Sequence, residues 1–167
     1  MSKKLFLLDG HSLAHRAFYA LPTLTNQDGE YTNAVFGFAR MLFRLIDNEN
    51  PDLLSVAFDK KGPTFRHEEY EDYKADRKKM PDELSPQIPL IKEMLKSLKI
   101  PIFEKEGYEA DDVIGTLAKM GENEDWDVVI VTGDRDALQL VTENIEVMYT
   151  NKGISDITQY TLEEVRE

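Results

Sequence analysis

The chain has 167 residues, of which 41% are hydrophobic, with no cysteine and a formal net charge of −12. This length fits one domain with a buried core, and the lack of cysteine excludes disulfides and thiolate metal sites and is typical of a reducing cytoplasm. The first apolar run breaks at Asp9 and Gly10, so it is too short for a signal peptide or a membrane span.

Apolar runs alternate with amphipathic stretches, which predicts an α/β fold. We expect strands at Lys4–Asp9 and Leu53–Phe58, with a helix at Asn33–Asn48 between them, because apolar residues recur there at three- and four-residue steps. Residues 60–81 are charged and aromatic and carry little core-facing pattern. The spacing of apolar residues predicts a further helix over Ile88–Leu98.

In the second half, a proline limits residues 99–103 to a short edge strand. The pattern then predicts a helix at Glu109–Met120, a strand at Asp127–Thr132, a short helix at Asp134–Leu140 and a last strand at Ile145–Tyr149. The strand at Asp127–Thr132 is almost entirely β-branched and apolar, so we expect it to be buried on both faces.

The pair Thr161 and Glu164 has the spacing of a capping box, which predicts the start of a helix. Very few residues follow, and so short a helix does not support itself. We therefore expect the chain to be a fragment of a longer protein.

Seven acidic residues stand where predicted strands end or helices begin. They are Asp9, Asp59, Glu109, Asp111, Asp112, Asp134 and Asp136. In an open parallel sheet, sites form at the carboxyl ends of the strands, so we expect these side chains to converge. At ~4 Å and an effective dielectric of about 20, each unscreened pair costs about 4 kcal/mol, which bound cations would relieve. Oxygen ligands favour Mg²⁺ or Mn²⁺.

Each of these acids also has a structural interpretation when it is taken alone. Asp59 fits a turn, Asp134 fits a helix cap, and Glu109, Asp111 and Asp112 complement the dipole of the helix that they open. A common rim explains the whole set more economically, because Asp9, Asp59 and Asp134 follow three different strands.

A carboxylate rim without a catalytic His or Cys favours phosphodiester hydrolysis assisted by two metal ions. One alternative is a phosphatase of the haloacid dehalogenase type, but that class needs a second Asp where this chain has His11. Another alternative is a non-catalytic or truncated, inactive nucleic-acid-binding module of the same fold.

The acidic average argues against a nucleic-acid partner, but residues 60–79 carry seven Lys or Arg against five Asp or Glu. Aromatic residues in this segment interleave with Arg66, Lys74, Arg77, Lys78 and Lys79. Cations hold phosphates and aromatic rings stack on bases, so the segment fits a clamp for a single strand. A solvated helical hairpin is the alternative.

Several motifs together resemble the 5′-nuclease (flap endonuclease) family, closest to its members that form the N-terminal 5′-3′ exonuclease domain of a bacterial DNA polymerase. The motifs are Leu8–Leu13, Arg16–Ala20, Thr32–Phe38, Phe58–Asp59, Tyr73–Arg77, Glu109–Leu117 and Thr132–Asp136. The resemblance covers essentially the whole chain.

The resemblance implies a PIN-like, resolvase-like α/β domain with a mainly parallel sheet. It implies metal-dependent cleavage of 5′ flaps and nicked ends in replication and repair, and Mg²⁺ or Mn²⁺ at the seven acids, with two ions in the whole protein. It implies a monomer in the bacterial cytoplasm, with a polymerase domain in the same polypeptide as one possibility.

The resemblance also assigns basic and aromatic residues. It places about residues 60–81 in a helical arch, where Tyr73, Lys74 and Arg77 engage the scissile phosphate and a nearby base, and it places Arg16 beside a phosphate. The family's helix-three-turn-helix element and its further aspartates do not occur in these residues, so we expect the second metal site of this chain to be incomplete.

Overall fold

The computed structural model describes residues 3–59, 81–105, 107–152 and 156–166. Six strands form one sheet in the order β3-β2-β1-β4-β5-β6. The strands are β1 Lys4–Asp9, β2 Leu53–Ala57, β3 Ile102–Phe103, β4 Asp127–Thr132, β5 Ile145–Lys152 and β6 Asp156–Tyr160. Neighbouring strands are parallel except β5 and β6, which are antiparallel. β1 therefore lies inside the sheet, between β2 and β4.

Helices cover both faces of the sheet. They are α1 Gly10–Ala20, α2 Asn33–Glu49, α3 Gln87–Ser97, α4 Ala110–Asn123, a 3₁₀ helix Arg135–Leu140 and α5 Leu162–Arg166. Phe6 and Leu8 of β1 pack in one core with buried residues of α1, α2 and α3. Leu7, on the opposite face of the same strand, packs in a second core with α4. This layering confirms the predicted α/β class.

The two-sided burial of β4 is also confirmed. Val129 and Val131 belong to the core under α1, α2 and α3, whereas Val128 and Ile130 belong to the core under α4. Successive side chains of a strand point to opposite faces, so a strand covered on both faces needs apolar residues at every position. The run of β-branched residues meets this need.

Helix α1 was not predicted from the sequence. Its buried face consists of Gly10, Leu13, Ala14 and Ala17, and such small residues give a weak apolar pattern. The helix also follows β1 directly, with Asp9 as both the last strand residue and the N-cap. In the sequence, Asp9 and Gly10 indicate the end of a strand and give no local sign of a helix that starts there.

Differences also occur near the sheet edges. β3 has two residues where five were expected, and β6 was not predicted at all. A β3 of this length is consistent with Pro101, which has no N–H for a ladder. The predicted helix start at Thr161 is present, since α5 begins at Leu162, and the Thr161 hydroxyl donates a hydrogen bond of 3.3 Å to Glu164 Oε1.

The expected arch lies outside the described residues, because residues 60–80 are not among them. Within the described ranges, the structure contains no helix long and apolar enough to cross a membrane.

Candidate metal centre

The carboxyl ends of three adjacent parallel strands bring predicted site residues to one edge of the sheet. Asp9 ends β1, Asp59 follows β2 by two residues, and Asp134 follows β4 by two residues. The first turn of α4 reaches the same edge, because the Ala110 N–H donates a hydrogen bond of 2.6 Å to Asp59 Oδ1. Asp9 occupies the middle of this edge, since β2 and β4 flank β1.

Asp9 is a buried carboxylate, only 5% exposed. Its Oδ2 accepts a hydrogen bond from the Thr132 hydroxyl at 3.0 Å, and its Oδ1 accepts one from the Ser12 N–H at 3.4 Å. The pKa of Asp9 is raised from 3.8 to about 7, chiefly by burial and also by the charges of Asp111 and Asp59, which together outweigh the lowering effect of the two hydrogen bonds. Asp9 therefore lies in negative surroundings that disfavour its charged form.

Asp59 is held by hydrogen bonds to two helices, one to the backbone of α4 and one to a side chain of α1. Besides the bond from Ala110 to its carboxylate, its own N–H donates to Nδ1 of His11 at 3.1 Å. The distance of 3.7 Å between His11 Nδ1 and Asp59 Oδ2 suggests an ion pair, but a nitrogen that accepts a hydrogen bond carries no proton. Burial also lowers the pKa of His11, against the opposing effect of Asp59. We therefore assign the neutral imidazole.

The first turn of α4 supplies three of the predicted acids. Glu109 is buried at the N-cap, Asp112 is half-buried, and Asp111 is exposed. Asp112 Oδ2 accepts a hydrogen bond from the Glu109 N–H at 3.2 Å, so the helix start fixes the position of Asp112. Asp111 lines the same cleft as Asp9, and among the charged neighbours it raises the pKa of Asp9 most.

The 3₁₀ helix after β4 carries the last two acids. Asp134 is its N-cap, and Asp134 Oδ1 accepts a hydrogen bond from the Asp136 N–H at 2.9 Å. The Thr132 hydroxyl links this turn to β1, because it accepts from the Asp134 N–H at 3.1 Å while it donates to Asp9.

An open cleft of 590 Å³ lies among these elements, and it is lined by four of the seven acids together with Thr132. The four are Asp9, Asp111, Asp112 and Asp136. Asp59, Glu109 and Asp134 are at the same edge but do not line this cleft. Within the described ranges, no three His, Cys, Asp or Glu side chains converge closely enough to hold an ion as they stand.

The chemistry of this donor set nevertheless fits a hard divalent cation. The cleft presents carboxylate and hydroxyl oxygens, which are the ligands that Mg²⁺ and Mn²⁺ prefer. The charges that raise the pKa of Asp9 are carboxylates, so a cation bound beside them would lower that pKa again.

Arg16 lies beside the turn after β4. Its guanidinium donates to the Gly133 carbonyl at 3.3 Å and to the Tyr149 hydroxyl at 3.4 Å. Arg135 lies over the ring of Tyr149 at 5.2 Å. A side chain on Gly133 would start 2.7 Å from Arg16 Nε and 2.9 Å from Ser12 Oγ, so it would force the side chains of α1 that approach this turn to move.

Several residues that contact the predicted acids at this end of the sheet were not predicted as site residues. Ser12, Thr132, Gly133 and His11 contact predicted acids or their neighbouring backbone. Their only local signal is position, since they follow Asp9 or precede Asp134 by one to three residues. The predicted residues Tyr73, Lys74, Arg77, Lys78 and Lys79 lie outside the described residues.

Comparisons with known proteins bear on the identity of the chain. The family described as "5'-3' exonuclease, N-terminal resolvase-like domain" matches residues 4–167. DNA polymerase I of Bacillus caldotenax is 51% identical over 167 residues, which are 100% of this chain and 19% of that protein. The chain thus spans about a fifth of the length of this relative.

Among solved structures, the D15 protein of T5 co-crystallised with metal ions matches with a TM-score of 0.72 and 21% identity, over 97% of this chain and 59% of that one. A D15 flap endonuclease in a pseudo-enzyme-product complex with DNA and metal ions gives a TM-score of 0.71 at 21% identity, with the same coverage of 97% and 59%. At this identity the two matches show the fold.

Proposed function

Because the chain belongs to the family of 5′-3′ exonuclease N-terminal resolvase-like domains, we propose that it hydrolyses DNA phosphodiesters at 5′ flaps and at nicked or branched ends. The observation that carries this proposal is Asp9. This carboxylate is buried at the end of a central strand, further carboxylates lie beside it, and its pKa is raised. Such an arrangement disfavours the charged form unless a cation compensates it.

Divalent ions, Mg²⁺ or Mn²⁺, would bind to oxygens of the seven acids. When bound, they supply Lewis acidity at the phosphoryl oxygens and lower the pKa of water. The seven residues act as ligands directly or through water, and not as general acids. Asp9 is oriented for this role by the hydroxyl of Thr132 and the N–H of Ser12, which occupy one position on each of its oxygens.

Cationic residues would hold the substrate. Arg16 is fixed beside the turn after β4, where a guanidinium can bind a phosphate of DNA through two parallel hydrogen bonds. From the family resemblance, Tyr73, Lys74, Arg77, Lys78 and Lys79 would contact the strand in the arch at about residues 60–81. Lys74 and Arg77 would bind at the scissile phosphate.

In the cell, this activity would remove primers and flaps in replication and repair, in the bacterial cytoplasm. The chain would act as the nuclease part of a DNA polymerase I, with a polymerase domain in the same polypeptide and with a helix-three-turn-helix element that completes the second metal site.

The test is cleavage of a labelled 5′-flap DNA with Mg²⁺, with Mn²⁺ and with EDTA. We expect metal-dependent cutting near the flap junction. Asp112→Asn should remove most of it, because that carboxylate lines the cleft, and circular dichroism should show that the variant is folded. The matched control is Asp127→Asn, since this exposed residue begins β4 and so lies at the amino ends of the strands, away from the cleft.

Wild-type cleavage in Asp112→Asn would remove Asp112 from the site, and cutting in EDTA would contradict metal dependence. If the wild-type chain does not cut, the same assay on a chain extended past Glu167 decides between a truncated nuclease and a non-catalytic module.

A further inference from the structure

His11 has no role in the chemistry proposed above, yet its ring accepts a hydrogen bond from the Asp59 N–H at 3.1 Å. We propose that His11 is a positioning residue, which uses Nδ1 as a hydrogen-bond acceptor to fix the backbone of Asp59 at the candidate metal centre. The effect on cleavage rests on the proposed function, whereas the effect on the conformation of Asp59 does not.

The sheet itself does not hold Asp59 in place. β2 ends at Ala57, and the last strand-like bond beyond it runs from the Phe58 N–H to the Phe103 carbonyl at 3.0 Å. The next N–H, that of Asp59, donates to His11 Nδ1 at 3.1 Å. His11 therefore continues the pattern of backbone hydrogen bonds by one residue after the sheet has ended.

The position of the His11 ring is fixed by its neighbours. It stands edge-on to the ring of Phe58, with centroids 5.3 Å apart and planes at 82°. The Phe58 ring in turn lies against Gly10, where a Cβ would be 2.5 Å from the nearest ring carbon. The ring of His11 is thus held by packing while its Nδ1 faces the backbone of Asp59.

The hydrogen bond also selects one tautomer. A backbone N–H can only donate, so Nδ1 must carry its lone pair and the proton must lie on Nε2. With Asp59 Oδ1 held by the Ala110 N–H at 2.6 Å, both the main chain and the carboxylate of Asp59 are fixed. Two helices, α1 and α4, thereby determine where this carboxylate lies.

His15 provides a matched control on the same helix. Its Nδ1 lies 2.8 Å from the carbonyl oxygen of His11. Because a carbonyl oxygen only accepts, Nδ1 of His15 carries a proton, whereas in His11 the proton lies on Nε2. Within the described part of the chain, the hydrogen bond of His15 is to the backbone of its own helix and not to a predicted acid. His15→Asn should therefore leave the metal centre unchanged.

Two variants separate positioning from packing. His11→Asn keeps an acceptor close to the position of Nδ1, whereas His11→Leu fills similar space without one. We expect His11→Leu to weaken Mg²⁺ binding, measured by calorimetry, and to lower kcat for flap cleavage by about 10–100-fold, which is the usual effect of losing a group that orients a metal ligand. We expect KM to change little and His11→Asn to recover most of the loss.

Nuclear magnetic resonance supplies a readout that needs no activity. The ¹⁵N shifts of His11 should show the Nε2–H tautomer, and the amide resonance of Asp59 should move in His11→Leu but much less in His11→Asn. An Nδ1–H or doubly protonated His11 at neutral pH would overturn the proposal. So would a folded His11→Leu with wild-type Mg²⁺ affinity, or a His11→Asn as impaired as His11→Leu. A wild-type chain that fails to cut flap DNA contradicts the proposed function, and the resonance and Mg²⁺ measurements still decide the role of His11.

Discussion

Replacing Asp9 by asparagine should stabilise the metal-free protein at alkaline pH. Asp9 is 5% exposed, and burial with two neighbouring carboxylates raises its pKa from 3.8 to about 7. Below about pH 4 the side chain is protonated in the folded and the unfolded state alike. Above pH 7 it is charged in both states, and the folded state bears the whole cost. The stability associated with the raised pKa is therefore present at low pH and is lost as the pH rises from about 4 through 7.

The size of the effect follows from the shift. A rise of about three pKa units corresponds to about 4 kcal/mol at pH 8. Asparagine removes this cost but weakens the hydrogen bond from Thr132, which contributes about 1 kcal/mol. We therefore expect Asp9→Asn to be more stable than the wild type by about 3 kcal/mol at pH 8, and less stable by about 1 kcal/mol at pH 4.

The assay is urea unfolding in EDTA at several pH values between 4 and 8, for the wild type, Asp9→Asn and the control Asp127→Asn. The difference between the wild type and Asp9→Asn isolates the titration of Asp9 from that of the other acidic groups. A difference that stays constant across this range, or that favours the wild type more as the pH rises, would refute the assigned electrostatics.

Three further predictions concern metal binding, the pKa of Asp9 and the packing of Gly10. Mg²⁺ or Mn²⁺ should raise the melting temperature of the wild type more at pH 8 than at pH 5, and should raise that of Asp9→Asn less; an unchanged melting temperature in millimolar metal contradicts the carboxylate cluster. Thr132→Val should raise the pKa of Asp9 further, seen in the pH titration of its ¹³C carboxyl resonance, because it removes a hydrogen bond to the charged form. Gly10→Ala should cost about 1–3 kcal/mol by urea unfolding, because its Cβ would overlap the ring of Phe58. The control Gly115→Ala has its nearest contact at 3.8 Å and should be neutral or stabilising, and equal effects of the two would contradict the packing argument.

The strands that carry the candidate site were predictable because their signals are local. The run before Asp9 and the β-branched run before Asp134 mark buried strands that end in acids. Parallel pairing then requires only that β1, β2 and β4 are adjacent, which the alternation of strands and helices favours. The same local signals missed α1, because its buried face has one leucine among glycine and alanine, which gives only a weak apolar pattern.

The contacts that adjust the site depend on residues far apart in the chain. His11 meets Asp59 across 48 positions, and Asp9 meets Thr132 across 123 positions. A single sequence does not show which polar residues meet after the strands are ordered. The burial of Asp9, and with it the direction of its pKa shift, also becomes visible only when both faces of the sheet are covered.

The unequal edges of the sheet bear on how the protein behaves in concentrated solution. β3 presents two residues next to Pro101, whereas β6 presents a full strand of five. Unpaired edge strands are templates for aggregation, and a short edge that includes proline is a poor one. Intermolecular strand addition during refolding or storage should therefore begin at β6, and changes that improve shelf life belong on that edge.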